Sequence, residues 1–112
     1  MTAEAAEYKT ILVAFDNSDF SRAALIEAAN WVKRHGGKVV MVHAAYFDEE
    51  NFANVKEQIE KHLEIGRRMC YQTRENFSLE FGIEIQSLVC EGEPPAVIVE
   101  TAKSENADLI VM

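Results

Sequence analysis

A continuous apolar run that ends in a polar, acidic tetrapeptide constrains this chain more than any other feature. Residues 11–15 are all apolar, and Asp-Asn-Ser-Asp follows directly at 16–19. A strand that is apolar throughout, instead of alternating with polar residues, is typical of a parallel sheet that is covered on both faces. Ligands of such open sheets collect at the carboxyl ends of the strands, where the strand order reverses. The run therefore predicts a strand at 10–15 and makes Asp16, which ends it, a candidate for ligand contact.

Helical and strand patterns alternate along the rest of the chain. A helix is expected to begin at 18–21, where Ser18, Asp19 and Ser21 are all good N-caps, and to end at Gly36-Gly37. Further patterns predict a strand at 38–44, a long amphipathic helix from about 48 to 81, a strand at 83–90, a helix at 96–106 and a strand from 107 to 112. The long helix would outrun the sheet, so an overhang or a bend near Gly66 is expected. The alternation predicts an α/β fold, a doubly wound parallel sheet with right-handed crossovers.

The size and charge of the chain exclude several classes of function. Its 112 residues suffice for one domain, which we expect at 8–112 after a frayed lead-in at 1–7. The net charge of −8 argues against a nucleic-acid partner, because such binding depends on Lys and Arg neutralising phosphates. No apolar run approaches the ~20 residues that span a bilayer, and residues 1–10 lack the pattern of a signal peptide. No membrane association and a cytoplasmic location are therefore expected.

The residues that carry chemistry elsewhere show no catalytic or metal-binding pattern in this sequence. Cys70 and Cys90 are isolated and form no C-x-x-C, so they predict reduced thiols and no zinc site. No nucleophile and base, and no pair of carboxylates at a defined spacing, stand out. The sequence therefore predicts no catalytic residues, and we do not expect an enzyme.

Five stretches of the chain share the order and spacing of one known family. They are residues 11–16 followed by Ser18, Ala24-Leu25 with Ala28, residues 40–44, Gly92-Glu93-Pro94, and residues 107–112. Together they resemble the universal stress protein family over residues 8–112. The resemblance implies a strand order of 3-2-1-4-5, with the reversal between strands 1 and 4, and it implies frequent homodimers. The fifth strand of that order would lie beyond residue 112.

In one branch of that family the resemblance implies binding of ATP, which we expect to carry Mg²⁺. Asp16 would contact the nucleoside, and the backbone at Ala44 would contact adenine. Ala14 is small enough to let a base approach the backbone, and Met112, at the end of strand 4, completes the candidate set. The family's phosphate loop, G-x-x-G followed by G-[ST], comes directly after strand 4 and would begin at residue 113. The residues at hand therefore resemble the nucleoside half of a nucleotide site.

Each candidate residue also has a purely structural interpretation. Asp16 and Ser18 would then cap the loop and the helix that follow, and Ala14 would be a packing choice. We expect His43 to be a half-buried histidine with a hydrogen-bond partner, not a base. The neighbouring Gly92 and Pro94 are expected to shape a turn, with a role in lining a site as the less favoured view.

Two functions of different classes follow from these interpretations. The first is a universal stress protein-like domain that binds an adenine nucleotide and signals in the stress response through dimerisation or partner contact. The alternative is an interaction or dimerisation domain of the same fold that binds no nucleotide. In either case, Leu109 to Met112 would leave an apolar strand edge open. We expect residues beyond 112 or a partner chain to cover it.

Overall fold

A four-stranded parallel sheet with helices on both faces forms the described part of the chain. The computed structural model describes residues 9–45 and 55–112. Its elements, in chain order, are β1 Thr10–Ala14, α1 Asp19–His35, β2 Lys38–Ala45, α2 Val55–Phe81, β3 Ile85–Glu91, α3 Pro94–Ser104 and β4 Leu109–Val111. The predicted lead-in at 1–7 and the predicted first turns of the long helix, 48–54, lie outside the described residues.

The strand order confirms the predicted doubly wound parallel sheet. The strands are arranged β3-β2-β1-β4, and each pairs in parallel with its neighbours. The chain first moves outward from β1 through β2 to β3, and then crosses back to place β4 on the other side of β1. Ile11 of β1 lies between Val39 of β2 and Leu109 of β4. The reversal of strand order therefore falls between β1 and β4, as the resemblance implies.

Burial on both faces explains why β1 is apolar throughout. Successive side chains of a strand point to opposite faces of the sheet. Ile11, Val13 and Phe15 join a core cluster that includes residues of α1 and α2, whereas Leu12 joins a second cluster with Val97 of α3. Helices α1 and α2 therefore cover one face, and α3 covers the other. The all-apolar pattern of β1 is therefore explained by helices that cover both faces of the sheet.

The element ends differ from the predicted ones by a few residues, for identifiable reasons. Strand β1 ends at Ala14, one residue before the predicted end, although the Phe15 amide still donates to the Val42 carbonyl of β2. Helix α3 begins at Pro94 and not at 96, since proline at the first helical position sacrifices no hydrogen bond. Gly36, at φ 84°, ends α1 as predicted. Helix α2 runs without interruption through Gly66, where it comes within van der Waals distance of β2.

Candidate functional site

A pocket of about 250 Å³ opens at the carboxyl ends of β1 and β2. The first turns of α1 and α3 complete its wall. Its lining residues are Ala14, Phe15, Asp16, Ser18, Phe20, Ser21, Val42, His43, Ala44, Pro94, Ile98 and Met112. All four residues that the sequence singled out, Ala14, Asp16, Ala44 and Met112, are among them. The structure thus brings these residues together, although their roles toward a ligand stay predictions.

The position of the pocket follows from the topology. Helix α1 follows β1 and covers one face of the sheet, whereas α3 follows β3 and covers the other face, so a crevice remains between their first turns at the carboxyl edge. Asp16 and Ser18 reach this crevice because they follow β1 directly, and Pro94 reaches it from the start of α3. The pocket therefore results from the strand order, not from a local loop alone.

The loop after β1 is ordered by its own side chains. The Oδ1 atom of Asp16 accepts a hydrogen bond from the Ser18 amide at 3.0 Å, and the Asp16 amide donates to the Ser21 hydroxyl at 3.3 Å. The Ser18 hydroxyl accepts from the Ser21 amide at 3.1 Å, which confirms Ser18 as the N-cap of α1. Between them, Asn17 takes a positive φ of 64°, a conformation that Asn adopts more readily than most residues. These hydrogen bonds define the conformation of the loop that carries Asp16.

Hydrogen bonding keeps the Asp16 carboxyl ionised. The hydroxyl and then the amide of Ser18, followed by the hydroxyl of Ser21, lower its pKa below the ordinary value of 3.8. Within the described residues, only Oδ1 of the carboxylate has a hydrogen-bond donor. The other oxygen is available to accept from a hydroxyl or amino group in the pocket. Asp16 thus serves the structural role that the sequence suggested and still presents a free acceptor.

The backbone of Ala44 faces the pocket for a geometrical reason. The Val42 carbonyl accepts from the Phe15 amide at 2.8 Å, so the polar backbone groups of residue 42 point toward β1. On an extended strand the residue two positions on points the same way, and the Ala45 carbonyl, which accepts from Gly92, points the other way. The amide and carbonyl of Ala44 therefore point toward β1 at a level where β1 has already ended. This is a donor and acceptor pair of the kind that an adenine edge requires.

The remaining walls are apolar, and part of them escaped the sequence reasoning. Phe20 and Met112 stand at the rim with exposed fractions of 88% and 77%. Pro94 and Ile98 contribute the side formed by α3. The sequence predicts a lining role for Pro94 only as the less favoured interpretation, and it predicts no such role for Phe20 or Ile98. One sequence feature could have identified Phe20. It is a large aromatic residue in the first turn of α1, and it lies off the buried face of that helix.

The charges of the pocket suit a neutral or basic group better than a phosphate. Asp16 is an acid, and no Lys or Arg occurs among the lining residues. Across residues 9–45 and 55–112, no group of three or more His, Cys, Asp or Glu is arranged to hold a metal ion. The described lining of the pocket therefore offers no cationic side chain to a phosphate group. No helix in this part of the chain is long and apolar enough to cross a membrane.

Comparison with known proteins places this chain in one family. The sequence model of the universal stress protein family matches residues 7–112. A universal stress protein of Thermus aquaticus is 32% identical over 110 residues, which cover 94% of this chain and 76% of that protein. One from Methanocaldococcus jannaschii is 30% identical over 94% of this chain and 64% of its own length. The chain belongs to the universal stress protein family.

Solved structures share the fold. The universal stress protein UspA of Lactobacillus plantarum superimposes with a TM-score of 0.78 at 23% identity, over 94% of this chain and 76% of that one. A universal stress family protein of Burkholderia pseudomallei gives 0.76 at 25% identity, over 92% and 79%. A universal stress protein in complex with cAMP gives 0.62 at 21% identity, over 92% and 70%. The fold is therefore common to the family, and at least one protein with this fold binds an adenine nucleotide.

Proposed function

We propose that this chain binds the adenosine part of an adenine nucleotide, with ATP as the expected ligand. The observation that carries the proposal is the meeting of Asp16, Ala14, the backbone of Ala44 and Met112 in one pocket. The free oxygen of Asp16 would accept a hydrogen bond from a ribose hydroxyl. The amide and carbonyl of Ala44 would pair with the edge of the base. Ala14 has no side chain beyond Cβ and so leaves room for the ring.

The size and charge of the pocket support a nucleoside as the part that is enclosed. Pockets that enclose a whole drug-sized ligand measure roughly 300–1,000 Å³. At about 250 Å³ this one accommodates only part of a nucleotide. The Asp16 carboxylate would repel a phosphate, so the phosphates and their Mg²⁺ would extend away from it. The solved relative with cAMP supports the ligand class, because cAMP also carries adenine and ribose.

In the cell, we propose that the bound state is passed on through a homodimer or another protein partner as part of a stress response. A second candidate function is an interaction domain that binds no nucleotide. The lack of any Lys or Arg in the lining of the pocket favours this second candidate. The two differ in whether the pocket is used, so ligand binding separates them.

The test is ligand binding by calorimetry and thermal shift with Mg-ATP, adenosine and cAMP. We expect Asp16→Ala to lower the affinity about 10- to 100-fold, since hydrogen bonds to charged groups contribute about 1.5–3 kcal/mol. The matched control is Asp19→Ala, which removes the same charge at the start of α1 from a residue outside the pocket lining. It should bind like the unmodified chain.

The absence of ligand binding would support the second candidate function. Ligand at about 10 times its Kd stabilises a protein by ~1.4 kcal/mol, which a thermal shift detects. If millimolar Mg-ATP, adenosine and cAMP all leave the unfolding temperature unchanged, the interaction-domain function is supported. Equal losses in Asp16→Ala and Asp19→Ala would show that general charge, and not the pocket, governs binding.

A further inference from the structure

We propose that His43 is a positioning residue of the pocket, which holds the Phe15 carbonyl and thereby sets the place of Asp16. The proposal deepens the proposed function and rests on it for its ligand readout. It stands on three observations, which concern the imidazole, the end of β1 and the backbone of α2.

The first contact is a hydrogen bond between the side chain of His43, on β2, and the backbone carbonyl of Phe15, which precedes the loop after β1. Nδ1 of His43 lies 2.8 Å from the carbonyl oxygen of Phe15. A carbonyl oxygen only accepts, so Nδ1 carries the proton and donates. The Phe15 carbonyl belongs to the peptide unit that contains the Asp16 amide. The imidazole therefore fixes the orientation of the peptide from which the acidic side chain projects.

The second observation is that the hydrogen bond from His43 replaces a backbone hydrogen bond of the parallel sheet. The Phe15 amide donates to the Val42 carbonyl, as in a regular parallel ladder. In a continued ladder the Phe15 carbonyl would then accept from the Ala44 amide. Within the described residues it receives no backbone donor, and His43 donates instead. The side chain thus ends the ladder at the point where the Ala44 amide becomes available to a ligand.

The third contact holds the ring from the other side. A methyl group at Gly66 of α2 would lie 2.9 Å from Cδ2 and 3.4 Å from Nε2 of His43, and 3.2 Å from Cγ1 of Val89. Glycine costs about 1 kcal/mol relative to alanine inside a helix. Its presence at a buried position of α2 is explained by the close approach of the ring. The imidazole therefore lies between the α2 backbone and the Phe15 carbonyl and cannot shift freely.

A pair of variants with the same branching tests the hydrogen bond. Asn carries an amide nitrogen on Cγ, where His carries Nδ1, whereas Leu carries a methyl group there. In the chain without ligand, we expect His43→Leu to raise the pKa of Asp16 toward 3.8 and to shift the Ser18 amide resonance. His43→Asn should leave both close to those of the unmodified chain. NMR titration of the Asp16 carboxyl measures this, and a merely structural role of His43 would affect both variants alike.

The same pair is then compared for binding of Mg-ATP. We expect His43→Leu to lose about tenfold in affinity and His43→Asn to lose much less, because only the former removes the donor. Equal effects of the two variants on the Asp16 pKa, or no effect of either, would overturn the proposal. If the unmodified chain binds no ATP while the Asp16 titration behaves as expected, the proposed function fails and the positioning role stands.

A double-mutant cycle with Gly66 keeps the proposal testable if His43→Leu does not fold. Gly66→Ala would press on the Cδ2 side of the ring, opposite the Phe15 carbonyl, and displace Nδ1 from its hydrogen-bonding position, so it should raise the pKa of Asp16 when residue 43 is His. In the presence of His43→Asn, which has no ring to displace, the same change should have little effect. An effect of Gly66→Ala that is independent of residue 43 would contradict the role of the imidazole.

Discussion

Asp16 accepts a hydrogen bond from the Ser18 amide, and the hydroxyls of Ser18 and Ser21 lie beside it. These contacts hold its folded-state pKa below 3.8, whereas in the unfolded chain the group titrates near that value. A lowered pKa means that the ionised carboxyl stabilises the folded state. The contribution is complete above the unfolded pKa and is lost as the pH falls through the lower, folded pKa.

We therefore predict that Asp16→Asn reduces the acid sensitivity of folding. The free energy of unfolding of the unmodified chain should fall more steeply than that of the variant as the pH drops below about 4. Urea unfolding over a series of pH values measures the difference. Asp19→Asn controls for the loss of one negative charge near the start of α1. Parallel curves for the unmodified chain and Asp16→Asn would contradict the prediction.

The two cysteines differ in burial and should differ in reactivity. Cys70 is fully buried, and loss of hydration raises the pKa of its thiol to about 11. Cys90 is half-buried. Because the thiolate is the reactive form, we predict that a thiol reagent at neutral pH modifies Cys90 first and Cys70 only after unfolding. Mass spectrometry after timed alkylation measures this, and in Cys90→Ser the fast reaction should be absent. Fast labelling of Cys70 in the folded chain would contradict it.

At the scale of the element, the ends of α1 show how single residues set a boundary. Ser18 caps its first turn, and Gly36 ends it at φ 84° and ψ 176° while donating its amide to the Val32 carbonyl at 2.8 Å. This backbone region is essentially restricted to glycine. The change of direction at Gly36 allows β2 to begin two residues later and to pair with β1.

We predict that Gly36→Ala destabilises the fold by about 1–3 kcal/mol, the usual cost of a strained backbone conformation. Apart from residue 36 and its neighbours along the chain, no atom lies within 4 Å of the position that the new methyl group would take, so the cost comes from the backbone and not from a clash. Urea unfolding measures it. Arg34→Ala, at an exposed site in the last turn of the same helix, should change stability by less than about 0.5 kcal/mol. Equal effects of the two changes would argue against backbone strain.

At the scale of the whole molecule, the described sheet has two edge strands, β3 and β4, and its more apolar edge strand is β4. Strand β4 pairs with β1 alone within the described residues, and Ile110 is 41% exposed. An open apolar edge is a template for pairing with another strand. We predict that this edge is covered in solution by a second copy or by another chain segment. Analytical ultracentrifugation should therefore show association that Ile110→Lys weakens. A monodisperse monomer of residues 1–112 would contradict this prediction.

The sequence predicted most of the architecture because burial on both faces of a parallel sheet requires continuous runs of apolar residues in its central strands. Residues 11–14 of β1 and 39–42 of β2 are all apolar for that reason, and the caps at Ser18 and Gly36 depend on local backbone chemistry. The start of α3 at Pro94 likewise depends on local backbone chemistry. The strand order had a different origin. Periodicity does not encode it, and it was expected only from the resemblance to the family.

The candidate site divides in the same way. Asp16 could be found from the sequence, because an acid directly after a central strand must lie at the carboxyl edge of the sheet. The tertiary structure alone decided that Phe20, Pro94 and Ile98 line the same pocket, and that the imidazole of His43 lies between the Phe15 carbonyl and Gly66. Such contacts join segments far apart in the chain, and their distances depend on how helices pack across the sheet. Local sequence carries the propensity of each segment, but only packing determines which segments meet.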